Sequence, residues 1–172
     1  MADGFFPNDV NIYIVSANTA GSAIASSDKI TTDVTNFNLT GGSKEVEQQA
    51  LFGNAFLSIE KPRDQYELSL DVIPKTDYPV RYEALLMGGS LTSTSCESST
   101  EPLAKKIFIE MLSGTSYKTM AINNCKGVTF EPEMGSEEYL KGSIKFKFSP
   151  TTDAGASNYK VAAVAASNAF FN

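Results

Sequence analysis

Residues 65–73, QYELSLDVI, alternate without a break. Tyr66, Leu68, Leu70 and Val72 fall on one side, and Glu67, Ser69 and Asp71 on the other. Side chains of an extended chain point alternately to two faces, so a period of two predicts a half-buried antiparallel strand with one apolar and one wet side. The pattern recurs. Ile144, Phe146 and Phe148 alternate with Ser143, Lys145 and Lys147. Leu57 and Ile59 oppose Phe56, Ser58 and Glu60, and Thr35, Phe37 and Leu39 oppose Val34, Asn36 and Asn38. The stretches VNIYIVS (10–16), KKIFIEML (105–112), YKTMAIN (117–123) and GVTFEPE (127–133) are rich in the β-branched and aromatic residues that suit a pleated surface. The chain is therefore expected to be mainly β, with antiparallel strands.

Punctuation between the strands sets the rest. In KPRDQ (61–65), Pro62 presets φ and Asp64 can bond the local backbone, which predicts a hairpin joining 55–60 to 65–73 through about four residues. The run TGGSKEVEQQA (40–50) opens on two glycines and reads as a long mobile loop. One short helix is expected over about residues 79–87. Asp77 is its candidate N-cap, Pro79 lies in its first turn, and Gly88 and Gly89 form its stop. Residues 90–102 form a polar Ser/Thr-rich loop, and the end from 151 starts flexible and finishes small and apolar. With no domain-length linker and no repeat, the reading is one domain over 1–172. It carries an arm loop at about 40–56 and a C-terminal arm at about 151–172.

Composition narrows the chemistry. The chain has no histidine, which removes the commonest general base, the Ser-His-Asp arrangement and most catalytic zinc sites. Glu67, Asp71 and Glu110 are the carboxylates a hydrolase would use, but acids on strand faces are ordinarily solvated, and no base or metal cluster accompanies them. No enzyme activity, cofactor or metal is expected. A net charge of −6 argues against a basic face for gripping phosphates. Cys96 and Cys125 have no zinc spacing, and without a basic-then-apolar leader at residues 1–10 both are expected reduced.

The apolar stretch LFGNAF (51–56) is harder to place in a core, because Leu51 and Phe52 follow a polar loop. Phe170 and Phe171 end the chain in the same way. Two apolar-tipped appendages on a β domain favour insertion into another copy of the chain.

The order NFNLTGGSKEVEQQALFGNAFLSIEKPRDQYELSLDV, then YPVRYEALLMGG, then KKIFIEML…YKTMAINNCKGVTFEPE, then EEYLKGSIKFKFSP resembles phage major tail tube proteins over residues 36–150. The type VI secretion tube protein shares that architecture. The resemblance implies an antiparallel β-sandwich or split barrel with one flanking helix and extended loop and terminal arms. It implies a structural virion protein whose stacked hexameric rings form a hollow conduit for DNA ejection into the host. Glu45, Val46, Leu51, Phe52, Phe56, Phe170 and Phe171 would then make contacts between subunits or rings. Glu67, Ser69 and Asp71 would line the lumen, with Ser143, Lys145 and Lys147 as the competing face. The acidic set is preferred because lysines would hold phosphate. Implied partners are further copies of the chain, the tape-measure protein, the tail tip or baseplate, the tail terminator, and double-stranded DNA that passes without specific binding. Implied location is the virion tail, assembled in the host bacterial cytoplasm. A capsid decoration or adhesin-type β binding module is the alternative that the residues leave open.

Overall fold

β7 (Ser116–Glu133) organises the molecule, because two sheets share it. In the first sheet its opening half pairs with β6 (Lys105–Ser113) and with β9 (Tyr159–Val164), and β6 pairs with β1 (Val10–Ser16). In the second sheet its closing half pairs with β8 (Lys141–Phe148), β8 with β5 (Tyr66–Val72), and β5 with β2 (Val34–Gly41). Every one of these pairings is antiparallel. β7 pairs with β6 as far as Cys125 and with β8 from Lys126 on; just before this changeover Asn124 takes a φ of 54°, a left-handed value that asparagine tolerates better than most side chains. The computed structural model describes residues 10–17, 24, 28–31, 33–43, 46–50, 56–60, 65–74, 80–97, 103–113, 116–134, 140–152 and 155–164, with the backbone alone at 46–50, 56–60, 113, 116 and 164.

The sheets enclose one principal core. Ile12, Ile14, Ile107, Ile109 and Ile122 enter from the first sheet, and Leu68, Leu70, Val72, Ile144, Phe146 and Phe148 from the second. These are the alternating apolar positions of the sequence, so the period of two decides which side chains leave water. The helix α1 (Arg81–Leu86) adds Tyr82 and Leu85 to that core. Six residues make a helix too short to stand alone, so packing holds it in place. Gly127 lets it approach, since a Cβ there would meet Leu86 Cδ2 at 2.7 Å. Behind it Gly88 takes a φ of 82°, and the Gly89 N–H donates to the Ala84 carbonyl at 2.7 Å. The buried Lys105 amine donates to the Gly89 carbonyl at 2.6 Å, next to the negative end of the helix. Burial holds that amine below the usual lysine range.

Four expectations change. The hairpin expected between 55–60 and 65–73 does not form: β4 (Phe56–Glu60) pairs with β3 (Val46–Ala50) in a separate two-stranded ribbon. β5 already has β2 on one side and β8 on the other, so it has no edge left for β4. The stretch read as a mobile loop thus contains β3. The C-terminal stretch contains β9, which docks on the chain's own β7. The helix covers 81–86 within the expected 79–87, and Val80 at its N-cap makes no side-chain capping bond. Asp77 and Pro79 lie outside the described residues.

Candidate functional site

The second sheet turns its polar side outward. Opposite the buried Leu68, Leu70 and Val72, β5 presents Glu67, Ser69 and Asp71, all half-buried. Register places Glu67 against Lys147, Ser69 against Lys145 and Asp71 against Ser143. The acidic set and the lysine set are therefore one face, not competing faces. Both strands put their apolar phase into the same core, so their polar phases must share the other side.

The face is a ladder of opposite charges. Lys147 Nζ lies 3.7 Å from Glu67 Oε2, Lys145 Nζ 3.9 Å from Glu131 Oε1, and Lys141 Nζ 3.8 Å from Glu133 Oε2. The Ser69 and Ser143 hydroxyls share a hydrogen bond at 3.1 Å, and Asn36 Nδ2 donates to Asp71 Oδ2 at 3.1 Å. β2 continues the face with Asn36, Asn38 and Thr40, opposite Asp71, Ser69 and Glu67. The carboxylates Glu67, Asp71, Glu131 and Glu133 are matched in number by Lys126, Lys141, Lys145 and Lys147. These pairs are part-exposed and add little to stability; their consequence is a face without net charge on a chain of net −6. An open depression of about 510 Å³ lies across one end of the face, reaching from Thr35 on β2 through Asp71 and Ser143 to Glu131 on β7. All four strands contribute to its lining.

The three carboxylates singled out from the sequence do not converge. Glu110 is fully buried on β6 in the first sheet, away from the strands carrying Glu67 and Asp71. Among the described residues, no group of three or more acids or cysteines is placed to hold a metal. Cys96 and Cys125 are both free thiols, and burial raises the Cys125 thiol far above its usual range.

The sheet edges differ in how they are protected. The outer side of β1 is covered by the chain at 29–31: Ile30 N–H donates to the Ile12 carbonyl at 2.9 Å, and Ile12 N–H to Thr31 Oγ1 at 2.8 Å. Among the described residues, β2 is paired on one side only; it contains no charge and no proline, and keeps Phe37 and Leu39 half-exposed at its rim. The closing half of β7 is likewise paired only to β8. It carries Pro132, and leaves Val128 46% and Met134, just past its end, 71% exposed.

Of the sequence-derived contact candidates, Val46 and Phe56 sit at opposite ends of the ribbon, where Val46 pairs with Glu60 and Ala50 with Phe56. Glu45, Leu51, Phe52, Phe170 and Phe171 lie outside the described residues. The polar-face residues missed from sequence, Glu131, Glu133 and Lys141, lie in strands whose alternation was visible; only the register joins them to Glu67.

Comparison with solved structures fits this arrangement. A chain of the sheath/tube terminator of an extracellular contractile injection system, PVC, in its extended state matches with a TM-score of 0.61 at 10% identity, over 94% of this chain and 96% of that one. The fold is one found in contractile injection systems. A chain of the PVC sheath-tube complex in the extended state matches at 0.58 and 10% identity, over 95% and 93%. A chain of the anti-feeding prophage tube-terminating cap matches at 0.55 and 10%, over 94% and 93%. At such identities the likeness is one of fold, and it is the fold implied by the resemblance to tail tube proteins. No family model matches the sequence, and no curated protein does.

Proposed function

We propose that the chain is a structural tube subunit: copies form hexameric rings, and rings stack into a hollow conduit of a phage-type tail. The observation that carries this reading is the sheet β2–β5–β8–β7, open at both edges among the described residues and polar on the side opposite its core. Its strands alternate in direction and are even in number. A neighbour related by rotation about a ring axis therefore presents its β7 antiparallel to β2 of the first copy. Pairing those edges extends one sheet from copy to copy and removes the exposed edges. Such contacts are heterologous, and they end only when the ring closes.

The polar face then lines the lumen. Glu67, Ser69 and Asp71 stand there together with Lys145 and Lys147, so the wall is charge-balanced instead of acidic. Lys141, Lys145 and Lys147 each have a carboxylate beside them, and a phosphate that displaces the carboxylate meets the acid it uncovers. Little net counterion release results, and DNA passes without being held. The tape-measure protein, the tip or baseplate and the terminator are the further partners, and the tail of a virion assembled in the bacterial cytoplasm is the location.

Negative-stain microscopy of the concentrated protein tests the assembly directly. Six-fold rings or tubes are expected. A monodisperse monomer that stays monomeric even with tail-tip partners overturns the reading, and favours a decoration or adhesin module.

A further inference from the structure

Tyr66 holds a position that no other residue shares. It is the first residue of β5, and its register partner is Gly41, the last residue of β2. The ribbon β3–β4 is inserted between these two strands, so Gly41 and Tyr66 are the pair at its base. Gly42, the next residue into the ribbon, lies directly against the Tyr66 ring. A methyl group there would overlap ring atoms Cε1 and Cζ and the hydroxyl oxygen, and its φ of 69° is a value that side chains rarely adopt.

The same ring also meets aromatic residues at the C-terminal strand. Tyr66 stacks on Phe148 with centroids 5.0 Å apart and planes 5° from parallel, and meets the Tyr159 ring at 5.5 Å. Tyr159 opens β9, and the strand has few other side-chain anchors: Lys160 and Ala163 are exposed, and Val161 is 47% exposed. β9 is otherwise held by its ladder to β7, by the Thr119 hydroxyl, which donates to the Ala162 carbonyl at 3.3 Å, and by Asn158. The Asn158 amide donates to the Ser149 carbonyl at 3.0 Å, and its oxygen accepts from Asn124 at 2.8 Å. One ring thus touches both appendages.

We propose that Tyr66 couples the two appendages, so that the orientation of the β3–β4 ribbon and the docking of β9 are one conformational variable. Swinging the ribbon about Gly41 and Gly42 carries the ring off Phe148 and Tyr159, which loosens β9. Undocking β9 frees the ring and loosens the base of the ribbon. The coupling is reciprocal by thermodynamic necessity. It is a property of the single chain and does not depend on the tube reading.

Hydrogen exchange on the purified chain tests it. Gly42→Ala forces the ring aside, and amides of 159–164 are expected to exchange roughly two- to tenfold faster, the scale of one lost aromatic pair, while 105–112 are unchanged. In a Tyr66→Leu background that increment disappears, because nothing is left to transmit it. Tyr159→Leu supplies the reverse direction and keeps the test open if Gly42→Ala fails to fold: exchange at 41–50 is expected to rise by a similar factor. Unchanged β9 exchange in Gly42→Ala overturns the coupling, as does an increment that persists without Tyr66. So does unchanged ribbon exchange in Tyr159→Leu.

Discussion

Asp33 carries more of the fold than its place in a short turn indicates. Its side chain is buried, and Oδ2 accepts from Arg81 Nη1 at 2.8 Å and from the Tyr82 hydroxyl at 3.0 Å. Its backbone carbonyl accepts from Ile73 N–H at 2.8 Å. One residue therefore ties the start of β2, the end of β5 and the helix together. Burial, and then the Asp33 carboxylate, push the Tyr82 phenol far above its usual range, so Tyr82 stays a neutral donor. Asp33→Ala leaves the Arg81 guanidinium buried without this partner. Removal of one member of a buried pair costs about 3–5 kcal/mol, so the midpoint of urea unfolding is expected to fall sharply. A midpoint within experimental error of the parent chain would show that the pair is dispensable. Nothing in the sequence marked this site. Asp33 lies in a polar run, Arg81 in the expected helix, and the link between them spans 48 residues.

At the scale of elements, the strands were legible because alternation is local, whereas their partners were not. β1, β2, β5, β6 and β8 fall where period and composition place them, and the buried residues of β5 and β8 are the apolar phase of each. Sequence adjacency favoured β4 beside β5, but pairing is decided by which edges remain open, and β5 has none. β3 was hidden because VEQQA has no apolar alternation and lies between glycines. Gly142 shows how a single position secures a pairing. The Phe130 ring lies over it, and a Cβ there would come within 2.6 Å of Phe130 Cε2 and 3.0 Å of the Glu131 carbonyl oxygen. The ring covers the gap that a glycine leaves in a strand. Gly142→Ala must displace both the ring and a backbone carbonyl, so a loss of about 1–3 kcal/mol is expected, as for overpacking. Thermal or denaturant unfolding measures it. A neutral result would show that β7 and β8 have slack at this rung.

At the scale of the whole molecule, the two edges of the second sheet that are open among the described residues are unequal, and the inequality would give a direction to the proposed assembly. β2 is free of charge and proline, the kind of edge that recruits another strand. The closing half of β7 is blunted by Pro132 and flanked by Glu131 and Glu133. Two β2 edges meeting each other would form a closed dimer and stop. β2 meeting β7 leaves an open β2 at one end and an open β7 at the other, so growth continues until the ring closes. The half-exposed Phe37 and Leu39 at one rim and the exposed Val128 at the other are the apolar contacts such a joint would complete. In the unassembled chain, the outward-facing amides of 34–41 and 126–133 are expected to exchange readily, since each strand is paired on one side only. On assembly both segments should gain protection together and to a similar extent, while β1, already covered by 29–31, changes little. Hydrogen exchange before and after tube formation reads this without knowledge of the register. Protection at 34–41 alone would mean that β2 pairs with itself, and protection at neither segment would place the joint elsewhere on the chain.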